Sequence, residues 1–241
     1  MKTLPRLATA FAATALSITL AHATVYTGPG VADGSAANDG GAISSFDINN
    51  TASTITFTIN STGPMASYIF YSIELQYGPG GDTSLMNPWG PHVGMSTGVN
   101  ALVNTYGTGA SALTYGGGVW TQNGPGQNFD SGGAGSSFAA MTFSLSSLGL
   151  SAGETFNFDV VSSYTANPGG QAAYSALDNA GYLPESDNSY MPWLGSNFYD
   201  SSTSSGSTLN SYTITAVPEP NLAALFGLGG LVMARVWRRK G

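Results

Sequence analysis

One of the two histidines, four scattered carboxylates and many serines are the residues of this 241-residue chain that could do covalent chemistry. A serine nucleophile needs a base within hydrogen-bond reach. His92, in the loop-like run Trp89-Gly90-Pro91-His92, is the one histidine after residue 22, there is no cysteine, and no Gly-x-Ser-x-Gly elbow surrounds a serine. A hydrolase of that type is therefore not expected. Two carboxylates can cleave a glycosidic bond as acid and nucleophile or base. Glu74, Glu154, Asp159 and Glu185 are the candidates, but linear order pairs none of them. Glu74 falls on the polar side of an alternating segment and Glu154 follows a turn glycine, so solvated positions are expected for both.

Non-covalent chemistry has more material. Asp33-Gly34, Asn38-Asp39-Gly40 and Asp82-Thr83-Ser84 are oxygen-rich, and glycine makes the first two flexible. Ca²⁺ takes six to eight oxygens from carboxylates and carbonyls, so Asp33, Asp39 and Asp82 are candidate ligands and calcium is the one cofactor to consider. Ordinary turn chemistry, in which Asp and Asn cap loops, accounts for the same residues. Trp89, Trp120 and Trp193 lie in Gly-, Pro- or Asn-rich surroundings, where a ring face could meet a sugar. Trp89 is the best placed, in Asn87-Pro88-Trp89-Gly90-Pro91, with Asn87 as a polar complement. Tyr77, Tyr106, Tyr115 and Tyr190 could extend such a platform. Core packing is the competing use, because Trp is mostly buried on average.

The charge distribution narrows the partners. All six Lys and Arg lie at the ends: Lys2, Arg6, Arg235, Arg238, Arg239 and Lys240. Residues 24–216 hold twelve of the thirteen Asp and Glu and no Lys or Arg, a net charge of −12. Binding to a phosphate backbone needs cations, so nucleic acid is excluded as a partner. Solubility rests on Ser, Thr, Asn and Gly instead of charge, and without cysteine no disulfide can staple the fold.

The ends read as sorting signals. Lys2 and Arg6 precede a 14-residue apolar run, Leu7 to Leu20, and then Ala21-His22-Ala23. That is the layout of a secretory signal peptide, residues 1–23; the run is short of the roughly 20 residues that span a bilayer. At the other end, Val217-Pro218-Glu219-Pro220 leads into the apolar stretch Leu222 to Ala234 and the basic cluster Arg235, Arg238, Arg239 and Lys240. Two prolines stop a preceding strand, and the basic cluster should stay cytoplasmic. Pro-Glu-Pro, a short hydrophobic helix and a basic terminus in that order resemble the PEP-CTERM sorting segment, here residues 217–241. The resemblance implies a Gram-negative bacterium, export by the secretion machinery, transient retention in the inner membrane, and an exosortase that cuts near Pro218-Glu219-Pro220. The destination it implies is the cell surface or an extracellular matrix in exopolysaccharide-rich biofilm.

The elements that must position the candidate residues follow a period of two. Ile55, Phe57 and Ile59 alternate with threonines. Tyr68 to Tyr77 carries Ile69, Tyr71, Ile73 and Leu75 on one face, followed by a turn through Tyr77 to Asp82. Val99 to Tyr106, Ala110 to Tyr115, Val119 to Gln122, Phe138 to Leu145, Thr155 to Val161 and Tyr212 to Ala216 are further expected strands. Short β segments joined by Gly, Asn and Pro turns predict one all-β domain over 24–216, an antiparallel sandwich, flanked by an N-terminal signal helix and a C-terminal hydrophobic helix. Ile43 to Ile48, Gly80-Gly81-Asp82, Asn87-Pro88-Trp89-Gly90 and Phe143 to Leu150 with Gly153-Glu154-Thr155-Phe156 together resemble DOMON-like, jelly-roll modules related to family-nine carbohydrate-binding domains. That resemblance implies non-catalytic polysaccharide binding. A contact made by the arginine that often follows Asn-Pro-Trp-Gly is missing, because Pro91 and His92 stand there. A matrix protein without a discrete ligand site fits the same composition.

Overall fold

The computed structural model describes residues 23–28, 30, 40–67, 69–85, 88, 93–106, 109–125, 127–130, 136–164, 173–177, 199–200 and 209–215. In chain order the strands are β1 (Thr24–Thr27), β2 (Ile43–Asn50), β3 (Thr54–Ser61), β4 (Ile69–Gln76), β5 (Val93–Gly94), β6 (Ala101–Tyr106) and β7 (Gly109–Gly116). They continue as β8 (Val119–Pro125), β9 (Gln127–Asp130), β10 (Phe138–Ser144), β11 (Thr155–Tyr164), β12 (Ala173–Ala176), β13 (Tyr199–Asp200) and β14 (Asn210–Thr213). Among the described residues the only helical turn is a 3₁₀ turn at Leu145–Leu148, and no helix is long and apolar enough to cross a membrane. The expected signal and anchor helices, with Val217, Pro218, Glu219, Pro220, Arg235, Arg238 and Arg239, lie outside the described residues.

Two antiparallel sheets carry the architecture. One has the order β1-β2-β3-β10-β9; the other runs β12-β11-β4-β6-β7-β8, with β14 also paired to β11. Among the described residues the exception to antiparallel pairing is the two-residue parallel ladder of β5 with β13.

Alternation explains why the first sheet forms. In β3, Ile55, Phe57 and Ile59 are wholly buried, while Thr54, Thr56, Thr58 and Asn60 face the other way, partly exposed. Phe46 of β2 stacks on Phe57 at 5.6 Å and meets Phe158 of β11 at 5.4 Å, so the two sheets share one apolar core. Tyr26 closes its edge, 4.8 Å from Phe158. Each fully buried ring of this kind contributes about 1.5–3 kcal/mol over an exposed one.

The central strand β4 departs from simple alternation. Ile69, Tyr71, Ile73 and Leu75 join the core as the sequence predicts. Ser72 and Glu74, on the opposite face, are buried as well. The cause is position: β4 lies between β11 and β6, and Val93, Gly94 and Val99 lie against that second face beside Glu74 and Leu102.

Backbone crowding fixes the turn after β4. A Cβ on Gly81 would sit 2.7 Å from the Val99 backbone nitrogen. That close approach lets Asp82 and Val99 exchange two backbone hydrogen bonds, of 2.8 and 2.9 Å. Asp82 is thereby held over the second sheet.

Candidate functional site

Two residues that the sequence suggests for different purposes meet on this outer face. Trp120 of β8 lies opposite Tyr115 of β7 in register, and their rings are 5.3 Å apart. The Trp120 indole N–H donates to Asp82 Oδ2 at 2.7 Å, and Asp82 Oδ1 accepts the Ser84 N–H at 2.9 Å. The indole is half-buried. A bond to a charged acceptor orients the ring and limits its rotamers, the general basis of a preorganised contact.

Trp120 and Asp82 line a small depression together with Glu74, Leu102, Val93 and Val99. It has room for about one water molecule. Leu85, also on its lining, has φ +57°, the one non-glycine residue with positive φ among those described. A sugar would meet this site by its ring face and rim hydroxyls and would not enter it.

The carboxylates correct the sequence-based expectation. Glu74 and Asp159 are not solvated; both are 0% exposed. Nor are they unrelated, because Asp159 is the register partner of Glu74 across the β4–β11 ladder. Directly opposed side chains place their Cβ atoms about 4.5–5.5 Å apart. Asp159 Oδ1 accepts the Val160 N–H at 2.7 Å. Complete burial denies the pair to a glycosidic bond, which must lie between its two carboxyl groups to be cut. Glu154 stays at a turn, half-exposed, with Oε2 accepting the Ser151 N–H at 2.9 Å. Glu185 lies outside the described residues.

For calcium, Asp82 already uses both oxygens, on Trp120 and Ser84. Among the described residues no three carboxylate or imidazole groups gather where one cation could bind. Asp33 and Asp39 lie outside the described residues, as do Asn87, Trp89, Trp193 and His92.

Of the tyrosines that could extend a platform, Tyr115 lies beside Trp120, and the Tyr106 side chain and Tyr190 lie outside the described residues. Tyr77 is used elsewhere: its hydroxyl donates to the Leu148 carbonyl at 2.7 Å. Burial, with the charge of Glu154 adding to it, pushes the Tyr77 phenol up to about 12. The Tyr71 phenol is also raised by burial, and its hydroxyl bonds the Gly40 carbonyl.

The Glu74–Asp159 juxtaposition is the feature that sequence reasoning missed. A signal for it existed: both residues sit in strands with strong apolar runs, and no Lys or Arg between residues 7 and 234 could pair with them. The described structure defines an all-β protein of antiparallel sheets with a tryptophan–carboxylate rim on one sheet face. Compared with protein-family models, curated proteins and solved structures, the chain matches none.

Proposed function

We propose that this is an exported, exosortase-sorted protein whose two packed sheets form a DOMON-like, jelly-roll sandwich that binds neutral polysaccharide without catalysis. Its site of action is the cell surface or extracellular matrix of a Gram-negative bacterium, reached through transient anchoring in the inner membrane. The observation that carries the binding reading is the Trp120 ring, tied to Asp82 and backed by Tyr115 on a half-exposed face. A net charge of −12 across 24–216 disfavours uronic-acid polymers at low salt and leaves neutral glycans as the better ligands. Burial of Glu74 and Asp159 supports the non-catalytic reading.

Retention of the full-length chain on immobilised neutral glycans tests the binding. Wild type should be retained saturably, and Trp120→Ala should bind about tenfold more weakly or worse, roughly 1.4 kcal/mol. Absence of saturable retention by wild type defeats the glycan reading and leaves a matrix role without a discrete ligand. The sorting reading has its own test: intact-mass analysis of surface material should show a chain lacking Arg235 to Gly241. Surface material that retains the whole tail would refute processing near Pro218-Glu219-Pro220.

A further inference from the structure

The second sheet ends at β8, and among the described residues no strand pairs with its outer edge. At Val119–Pro125 it is the longest edge strand of the two sheets; β1, β9 and β12, at the other ends, each span four residues. The backbone groups on that edge can be identified. Gly117 and Gly118, with φ +61° and +85°, form a two-residue hairpin turn that closes on Gly116 and Val119. The closing pair is hydrogen-bonded, and bonded and unbonded pairs alternate along an antiparallel ladder. Tyr115–Trp120 and Leu113–Gln122 are therefore unbonded pairs. The Tyr115 N–H confirms the phase, because it turns away from β8 and donates to the Asn100 carbonyl at 2.8 Å. The N–H and C=O groups of Trp120 and Gln122 consequently point out of the sheet edge.

Natural proteins blunt such edges with charge, proline or a bulge. β8 has a proline and an irregular register, but both fall at its far end, between Gln122 and Pro125. From Val119 to Asn123 it carries no charged residue and no proline. Val119 is 62% exposed, one of two large apolar side chains so placed among the described residues. Thr121, Gln122 and Asn123 are exposed as well. An uncharged run matters here because residues 24–216 carry a net charge of −12. Two such bodies repel least where the contacting strand itself brings no carboxylate.

We propose that this edge pairs with the same edge of a second copy of the chain, antiparallel about a two-fold axis at Thr121. Such a contact uses one patch twice, the isologous form of a dimer. The register follows from the outward groups. Centring on Thr121 sets Trp120 against Gln122 of the second copy, and the reverse, and each of these pairs exchanges both N–H···O=C bonds. Centring on Trp120 would set Gln122 against Gly118 in the turn, and centring on Gln122 would set Trp120 against Gly124, whose φ is +98°. On one face Trp120 then lies beside Gln122 of the second copy, and the two tryptophans become diagonal neighbours with backbones about 7–8 Å apart. Each Trp120–Tyr115 pair thus continues into the other, and the second copy contributes a residue to each site. On the opposite face Val119 is covered by Asn123 of the second copy. Val119 to Asn123 is short beside the roughly 20–30 residues a side of a stable complex, so the dimer is weak and concentration-dependent. The pairing stands without the glycan reading; the joint platform as a ligand surface rests on that reading.

Cysteine crosslinking of the full-length chain in detergent, without glycan, tests the pairing. The natural chain has no cysteine, so one introduced thiol can link only two copies. Opposed residues of an unbonded pair have Cα atoms about 4.5 Å apart, inside the roughly 4.4–6.8 Å that a disulfide spans. On oxidation Thr121→Cys, on the axis, should form a linked dimer about tenfold faster or more than Val119→Cys, which faces Asn123 of the second copy instead of its own counterpart. Raising NaCl from about 0.05 M to about 0.5 M should speed the Thr121→Cys linkage, because screening relieves the repulsion between two anionic bodies. A second comparison needs no thiol. Thr121 is exposed, on the face away from Trp120. Thr121→Glu and Thr121→Lys should each sediment as monomer where wild type dimerises, and their equimolar mixture should restore the dimer, since like charges directly opposite repel and unlike ones attract. Linkage of Thr121→Cys no faster than that of Val119→Cys, or Thr121→Glu association equal to wild type, would overturn the pairing. Fast linkage by a chain that no neutral glycan retains would support the pairing and defeat the glycan reading.

Discussion

Asn50→Ala should unfasten the last strand of the body. Asn50 closes β2 and is 4% exposed. Its Oδ1 accepts the Tyr212 hydroxyl at 2.7 Å and the Thr215 N–H at 3.1 Å. Its Nδ2 donates to the carbonyls of Thr51 at 2.8 Å and Thr215 at 2.9 Å. One side chain of the first sheet therefore grips both backbone polar groups of Thr215, the last of the described residues. A typical hydrogen bond contributes about 0.5–1.5 kcal/mol net, and a buried partner left without one costs about 1–3 kcal/mol. Thr51 and Thr215 are exposed and can recruit water, whereas Tyr212 is buried. The expected loss is about 2–4 kcal/mol, or roughly 5–15 °C in Tm for a domain of this size. Circular dichroism melts read the loss, and hydrogen exchange should show Ile214 and Thr215 amides losing protection first. Tyr212→Phe, which removes one of the four bonds, should cost about 1 kcal/mol, and Asn49→Ala, on the exposed face, should stay within about 0.5 kcal/mol. A Tm drop for Asn50→Ala no larger than that of Asn49→Ala would refute the latch.

Two further substitutions probe the core and its ionisation. Phe158→Ala removes the ring where Tyr26, Phe46 and Phe156 converge and should cost about 3–5 kcal/mol in a denaturant melt. Tyr77 should stay protonated until about 12; its stabilising effect is complete below the ordinary phenol range and is lost as pH rises through that value. Ultraviolet titration should lose one late-ionising phenol in Tyr77→Phe, and an unchanged titration curve would contradict the burial assigned to it.

Much of the fold was legible as alternation, because a strand with one buried face writes a period of two into its residues. Ile55, Phe57 and Ile59, or Phe156, Phe158 and Val160, identify their strands and their inward faces without any partner. Strands β1, β5, β9, β12 and β13 were not legible. They span two to four residues, too few for a period, and exist because a neighbouring edge offers hydrogen bonds. The candidate site was half legible: residue type marked Trp120 and Asp82 separately, as an aromatic platform and as a metal ligand. Their union depends on Gly81 packing against Gly98 and Val99, a backbone contact with no signature in side-chain pattern.

The sequence alone determined the charge economy: Lys and Arg at the two ends, twelve carboxylates and no Lys or Arg between them, and a β body stabilised by apolar faces. Those properties are additive over residues and need no coordinates. Only the tertiary structure decided that the polar face of β4 is covered and that Glu74 faces Asp159. Register is a property of two strands, set by the packing of their apolar faces and 85 residues apart in this pair. No local pattern can state which carboxylate will lie across from which.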